Sequence, residues 1–167
     1  MARTSEPIAW LSLVDVSGPF LVSAVLEQAF PQGLEKIETP RRQRLRAAYD
    51  EWQEAVEEDD PQLTSLHNAW VRMVLEDCLE YDNESLVSKA ELAGSIVYRF
   101  EEHGVEYVPD FAVRGGDRSP RLLIAVYPAG TNLENLLPQE TWAASPAERM
   151  VLLCRGNQCR IGLVTNG

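Results

Sequence analysis

The hydrophobic residues in the first half of the chain recur at intervals of three and four, which is the period of a helix. A serine cap followed by a proline predicts one helix over residues 17–30. The same logic at Thr39-Pro40 predicts a second helix, which ends before Pro61, and a wide apolar face predicts a third over residues 67–81. The stripe of the second helix, which favours core packing but could contact a partner, comprises Leu45, Tyr49, Trp52 and Val56.

The second half of the chain is rich in β-branched and aromatic residues, which favour strands. It predicts strands over residues 95–100, 105–113 and 122–127. A turn at residues 101–104 and a glycine-containing hairpin loop at residues 114–120 join them.

The pattern at the end of the chain predicts a helix followed by a strand. Ser145-Pro146-Ala147-Glu148 has the pattern of a capping box and predicts a helix that runs to about Arg155. Residues 159–165 predict a short apolar strand of the kind found in the middle of a sheet. We therefore expect a helical segment at residues 1–62 and, at residues 63–167, a domain with the element order αβββαβ.

Composition limits the functions that this chain can serve. Its 167 residues, 45% of them hydrophobic, are enough to bury one sizeable core. The net charge of −11 argues against a surface that is basic throughout, so nucleic-acid binding would need a local patch. The candidate for such a patch is the arginine cluster Arg41, Arg42, Arg44 and Arg46. The alternative is that this cluster and the carboxylates of residues 50–60 form a solvated helix face.

The cysteine and histidine residues suggest no separate chemistry. Cys78, Cys154 and Cys159 are odd in number, match no common zinc spacing and are expected to act as small core residues. His67 and His103 belong to no recognisable triad. The sequence shows neither a signal peptide nor an apolar run long enough to span a membrane, which predicts a soluble, cytoplasmic protein with no membrane partner.

The segment Val108-Pro109-Asp110-Phe111 resembles the first catalytic strand of the PD-(D/E)xK nucleases, whose core has the αβββαβ order. The resemblance implies an α/β (α+β) restriction-endonuclease-like fold preceded by a helical segment. In that family an Asp, an acidic residue on the next strand and a lysine two residues later hold Mg²⁺ and activate water. Here the acidic position is Ala125 and the lysine position is Tyr127, so the active site is incomplete.

The closing segment, residues 160–167, resembles the G-[LIV]-[LIV]-T-N-G strand and turn of nuclease-like N-terminal domains in restriction enzymes. Together with residues 8–11, 18–21, 30–34, 126–128 and 142–146, it makes nearly the whole chain similar to the N-terminal region of large type IIG-like restriction-modification DNA methyltransferases. This resemblance implies a fragment of a longer adenine-specific enzyme that uses S-adenosylmethionine (SAM), with Mg²⁺ as an optional second cofactor. The fragment itself carries no methyltransferase motif and needs no cofactor.

Each candidate site residue has a structural alternative. Asp110 is a candidate metal ligand or a turn residue, and Glu76 or Glu80 could add a carboxylate or be solvated helix charges. Tyr127 could contact a DNA phosphate or pack across strands.

Three functions follow from these observations. The leading one is a catalytically degenerate nuclease-like domain that binds or positions DNA in restriction-modification or phage defence. The alternatives are a scaffold that docks another subunit of a defence complex and an active Mg²⁺-dependent endonuclease with migrated residues. The lysines available for such an endonuclease are Lys36 and Lys89.

Overall fold

A computed structural model describes residue 25 and residues 28–32, 37–92, 94–100, 104–137 and 143–167. The chain divides into two compact units, residues 1–39 and residues 40–167. In the first unit residues 25, 28 and 29 are helical, and the rest of the helix predicted over residues 17–30 lies almost entirely outside the described residues. The predicted domain boundary at residue 62 stays a prediction.

The remaining elements follow one another along the chain. Two helices come first, then a strand and a short helix, four strands, a helix and a last strand. In order they are α1 (Thr39–Glu58), α2 (Leu63–Met73, followed by a π-helical turn at Val74–Cys78), β1 (Leu86–Ser88), α3 (Lys89–Leu92), β2 (Tyr98–Phe100), β3 (Val105–Tyr107), β4 (Phe111–Arg114), β5 (Pro120–Val126), α4 (Pro146–Gly156) and β6 (Gly162–Thr165).

Helices α1 and α2 confirm the predictions for this part of the chain, with shifted ends. Helix α1 begins at Thr39 as expected and ends where Asp59 adopts a φ of 52°, in the left-handed region. Helix α2 begins four residues before the predicted start at residue 67, and its π-helical turn ends at Cys78. The rings of Tyr49 and Trp52 on α1 pack against Trp70 on α2, so these two stripe residues serve intramolecular packing.

A mixed four-stranded sheet in the order β1-β4-β5-β6 forms the centre of the second unit. Strands β1, β4 and β5 are antiparallel neighbours, and β6 runs parallel to β5. Because side chains alternate along a strand, β5 presents Leu123 and Ala125 to one face and Ile124 to the other. The first face packs on α4 and the second on α2, which gives a layered α/β fold.

The structure corrects the predicted strands in three places. The segment 105–113 is two strands, β3 and β4, rather than one. Pro109 lies between them and has no N–H to donate, so it interrupts the strand. The strand predicted at residues 95–100 pairs only with β3, in a separate two-stranded sheet. The first strand of the main sheet is instead β1, whose three residues are too few to show a period.

The closing helix and strand are present, although the strand does not lie in the middle of the sheet. Ser145 and Glu148 form the predicted capping box, with Glu148 N donating to Ser145 Oγ at 3.1 Å and Ser145 N to Glu148 Oε2 at 2.8 Å. Strand β6 is an edge strand among the described residues. It begins at Gly162, where a Cβ atom would collide with Met150 and Cys154 of α4, so the helix and strand approach each other closely.

The central strand β5 is expected to dominate stability. We predict that Leu123→Ala lowers the free energy of unfolding by about 2–5 kcal/mol, because Leu123 is fully buried between the sheet and α4. Leu136→Ala is the matched control, since Leu136 is 59% exposed and its truncation should change stability by less than about 0.5 kcal/mol. Urea denaturation of both variants checks this, and equal losses would contradict the placement of the core.

Candidate functional site

Asp110 lies where three strands of the sheet meet. Its backbone N donates to the Ile124 oxygen at 2.9 Å, and its backbone oxygen accepts from Lys89 N at 2.8 Å. Its side chain adds two more bonds, because Oδ2 accepts from Val126 N at 2.8 Å and Oδ1 from Lys89 Nζ at 3.2 Å. Asp110 therefore joins the end of β1, the start of β4 and the end of β5.

The local sequence explains this position. Pro109 ends the preceding segment and is itself fully buried, so the chain enters β4 at Asp110 in a fixed place. The last residue of β5, Val126, needs an acceptor for its N–H, and the Asp110 carboxylate supplies one. A carboxylate acceptor makes that hydrogen bond stronger than a neutral one would be.

Ala125 and Tyr127, which occupy the positions of the acidic residue and the lysine in PD-(D/E)xK nucleases, face the α4 side of the sheet. Ala125 is 2% exposed within the core and offers no ligand atom. The Tyr127 hydroxyl lies 2.8 Å from the hydroxyl of Tyr107, and both rings pack on the same core. Burial, and then the hydrogen bond with Tyr127, raises the pKa of Tyr107 well above its usual range. This geometry favours packing as the role of Tyr127.

An open groove of about 350 Å³ lies beside Asp110. Its charged lining consists of two cations, Arg72 and Lys89, and one carboxylate, Asp110. The rest of its lining is Asn68, Ser88, Ala90, Phe111 and Val126. We call this cavity the Asp110 groove. Each cation is paired with a carboxylate, Lys89 with Asp110 and Arg72 with Glu76, so the groove offers cationic donors without a net positive charge.

The residues of the Asp110 groove do not fit a magnesium site. Mg²⁺ prefers oxygen ligands in near-octahedral geometry, and here a lysine ammonium already contacts Asp110 Oδ1. The lining contains no second carboxylate. Across the residues that the structure describes, no three His, Cys, Asp or Glu side chains are grouped so as to hold a metal ion.

The two helix carboxylates considered as further ligands bind arginines instead. Glu76 accepts from Arg72 Nε at 2.8 Å, and Glu80 accepts from Arg41 Nη1 at 2.6 Å. Neither glutamate lines the Asp110 groove.

The arginine cluster of α1 forms ion pairs within the protein. Arg44 lies 3.8 Å from Asp77, and Arg46 lies 2.9 Å from Asp50. The Arg41–Glu80 and Arg44–Asp77 pairs join α1 to the end of the π-helical turn, and the hydrogen bond with Glu80 raises the pKa of Arg41. Arg42 is exposed, and no arginine of this cluster lines the Asp110 groove.

Histidine and cysteine side chains serve packing in the described structure. His67 is 5% exposed, and its Nδ1 accepts from Trp52 Nε1 at 3.1 Å, which ties α2 to α1. The three cysteines are free thiols, with Cys159 buried and Cys78 and Cys154 half-buried. Burial is the main cause that raises the pKa of Cys154 to about 11, so its reactive thiolate form is scarce at neutral pH.

Sequence reasoning named Lys89 as an available lysine without placing it in the Asp110 groove, and it did not single out Arg72. Lys89 follows a strand too short to predict, so nothing in the sequence placed it beside Asp110. The spacing of Asn68 and Arg72 did carry a signal, since residues four apart lie on one face of a helix.

The hydrogen-bonded hydroxyls of Tyr107 and Tyr127, on the α4 side of the sheet, should contribute measurably to stability. We predict that Tyr107→Phe and Tyr127→Phe each lower the free energy of unfolding by about 1–2 kcal/mol, because each removes the hydrogen bond between these two half-buried hydroxyls. The double variant should lose less than the sum of the two, since both changes remove the same bond. Denaturation of the four proteins in this cycle tests the pairing.

Tyr81→Phe is the matched control. Tyr81 packs on the α2 side of the sheet, and its hydroxyl makes no hydrogen bond in the described part of the chain. Strict additivity of the Tyr107 and Tyr127 changes would show that the two hydroxyls do not interact.

Comparison with protein-family models, with curated proteins and with solved structures finds no match. In the described ranges, none of the helices is both long and apolar enough to cross a membrane.

Proposed function

We propose that residues 63–167 form a catalytically degenerate nuclease-like domain that holds DNA for a restriction-modification or phage-defence methyltransferase. The element order supports this proposal: α2 precedes three antiparallel sheet strands, and α4 leads to β6, which is parallel to its neighbour. This order is similar to the αβββαβ order of a restriction-endonuclease-like core, with α3, β2 and β3 as additional elements between β1 and β4 and with Asp110 directly before β4.

The observation that carries the proposal is the state of the Asp110 carboxylate. Both of its oxygens accept hydrogen bonds from the protein, one from Lys89 Nζ and one from Val126 N. With Ala125 and Tyr127 in the core, the groove has no ligand set for a water-activating metal. It retains cations and an amide, which suit a phosphate diester better than a divalent metal.

Such a domain would read the DNA backbone rather than the bases. Phosphate contacts fix the position and orientation of a protein on a duplex without conveying sequence. The net charge of −11 opposes DNA binding over most of the surface, so contact would be confined to the Asp110 groove, where Lys89 and Arg72 lie. The domain would thereby position DNA for an adenine methyltransferase elsewhere in a longer protein, whose cofactor would be SAM.

A protein-interaction scaffold is the second candidate. A shallow cavity on the acidic side of α1 is lined by Glu51, Glu54, Glu58 and Asp60, and this surface would suit a basic partner such as another defence subunit. The aromatic residues of the α1 stripe favour this function less, because Tyr49 and Trp52 pack against Trp70. An active endonuclease would need a second carboxylate beside Asp110, which the lining of the groove does not supply.

The proposal predicts weak, cleavage-free binding of duplex DNA. The two cations of the Asp110 groove, Arg72 and Lys89, would make two contacts with phosphate. These should give a slope of log K against log salt of roughly −2, because each contact contributes about −0.9. The dissociation constant at low salt should fall in the non-specific range, on the order of 10⁻⁴ to 10⁻⁶ M. Fluorescence anisotropy with a labelled duplex across a salt series measures both quantities.

The same samples, with Mg²⁺ or with a chelator, are analysed for cut DNA. Intact DNA is expected in both conditions, with an affinity no higher in Mg²⁺ than with the chelator, because Mg²⁺ competes for the same phosphates. Mg²⁺-dependent cleavage would establish the endonuclease alternative, and no binding at low salt would leave the scaffold as the better account.

A further inference from the structure

We infer that Lys89 and Arg72 bind a phosphate of the DNA backbone in the Asp110 groove, and that Asp110 competes with that phosphate for Lys89. This inference rests on the proposed function and extends it, since it names the contacts and a built-in restraint on binding. It also gives Asp110 a role opposite to that of a metal ligand.

Lys89 is placed to exchange one anion for another. Its backbone N is fixed by the Asp110 carbonyl oxygen at 2.8 Å, so the base of the side chain is held at the edge of the groove. The side chain beyond it is 61% exposed, and its ammonium meets Asp110 Oδ1 at 3.2 Å. An ammonium has three donors, so Lys89 can meet a phosphate oxygen as it leaves Asp110.

Arg72 supplies the second cation in the lining of the groove. It lies one helical turn after Asn68 on α2, so both side chains project from the same face of that helix. Arg72 is 55% exposed and donates Nε to Glu76. A guanidinium has five N–H donors, so this bond leaves others for a phosphate, and the Asn68 amide can donate beside them.

Asp110 is the anion that pairs with Lys89, as Glu76 is the anion that pairs with Arg72. Asp110 Oδ1 accepts a hydrogen bond from the Lys89 ammonium. Its Oδ2 accepts from Val126 N and thereby supports the end of strand β5. An Asn in this position can keep its oxygen on the Val126 N–H, and it removes the negative charge that faces Lys89. Asp110→Asn thus separates the structural role of the side chain from its electrostatic role.

The test compares DNA binding by Asp110→Asn, Lys89→Gln and Arg72→Gln with binding by the parent chain. Asp110→Asn should bind duplex DNA roughly threefold to tenfold more tightly, because a carboxylate no longer repels the phosphate or holds Lys89. Lys89→Gln and Arg72→Gln should each bind about threefold to tenfold more weakly and reduce the salt slope by about one. Lys89→Arg should retain the slope.

Arg121→Gln is the matched control for lost positive charge. Arg121 is 63% exposed and pairs with Asp117 in the β4–β5 hairpin loop, and it does not line the groove. Its removal should leave DNA affinity within about twofold of the parent value. Circular dichroism and urea denaturation of every variant show whether each one folds.

A second arm distinguishes DNA from free phosphate. Inorganic phosphate is titrated into the parent chain and into Asp110→Asn at constant ionic strength, with amide NMR shifts as the readout. We expect shifts at residues 72 and 89 only at much higher concentrations than DNA requires. Tight binding of inorganic phosphate, with no gain in DNA affinity for Asp110→Asn, would overturn the assignment to DNA.

The outcomes also separate this inference from the proposed function. If the parent binds DNA but the groove variants behave like Arg121→Gln, DNA is held elsewhere and the inference fails while the proposed function stands. If Asp110→Asn folds and binds DNA more weakly, Asp110 does not compete with phosphate. If the parent binds no DNA, both fail.

Discussion

The arrangement of the sheet depends on the hydrogen bonds of Asp110. One residue accepts from Lys89 through both its backbone and its side chain, donates to Ile124 and accepts from Val126. These bonds connect β1, β4 and β5 at the end where their segments converge. Backbone N–H and C=O groups at the end of a strand would otherwise need water or another partner. The Asp110 side chain therefore stabilises the sheet as well as lining the groove.

This constraint explains why the groove has cations but little capacity for metal chemistry. The position that would carry the acidic residue lies on β5 and the position of the lysine directly follows that strand. Both face the core under α4, where Ala125 packs and Tyr127 meets Tyr107. The ammonium near Asp110 comes instead from Lys89, directly after β1. The site therefore holds an anion and a cation that neutralise each other until a second anion arrives.

Much of the fold was predictable from local pattern. The start of α1 at Thr39, the capping box at Ser145 and the long apolar strand β5 all have strong sequence signals, and the structure confirms them. Strand β1 was not predictable, because three residues show no period and its pairing with β4 is set by tertiary packing. The role of Pro109 in splitting one predicted strand into two was a missed local signal.

The site was predictable only in part. Asp110 stood out in the segment Val108-Pro109-Asp110-Phe111, as the expected end of a strand, and the absence of an acidic residue at 125 and a lysine at 127 is plain in the sequence. The pairing of Asp110 with Lys89 joins residues 21 positions apart and follows from β1–β4 pairing, which the sequence did not reveal. The arginines of α1 looked available in sequence, but three of the four face carboxylates in the fold.

The most direct test of this account is NMR of the Asp110 carboxyl carbon and the Lys89 ammonium during separate titrations with Mg²⁺ and with a short duplex. The account predicts that DNA shifts both signals, as Lys89 exchanges Asp110 for phosphate, whereas Mg²⁺ at constant ionic strength shifts neither. A saturable Mg²⁺-induced shift at the Asp110 carboxyl carbon would contradict it, because Asp110 would then be a metal ligand.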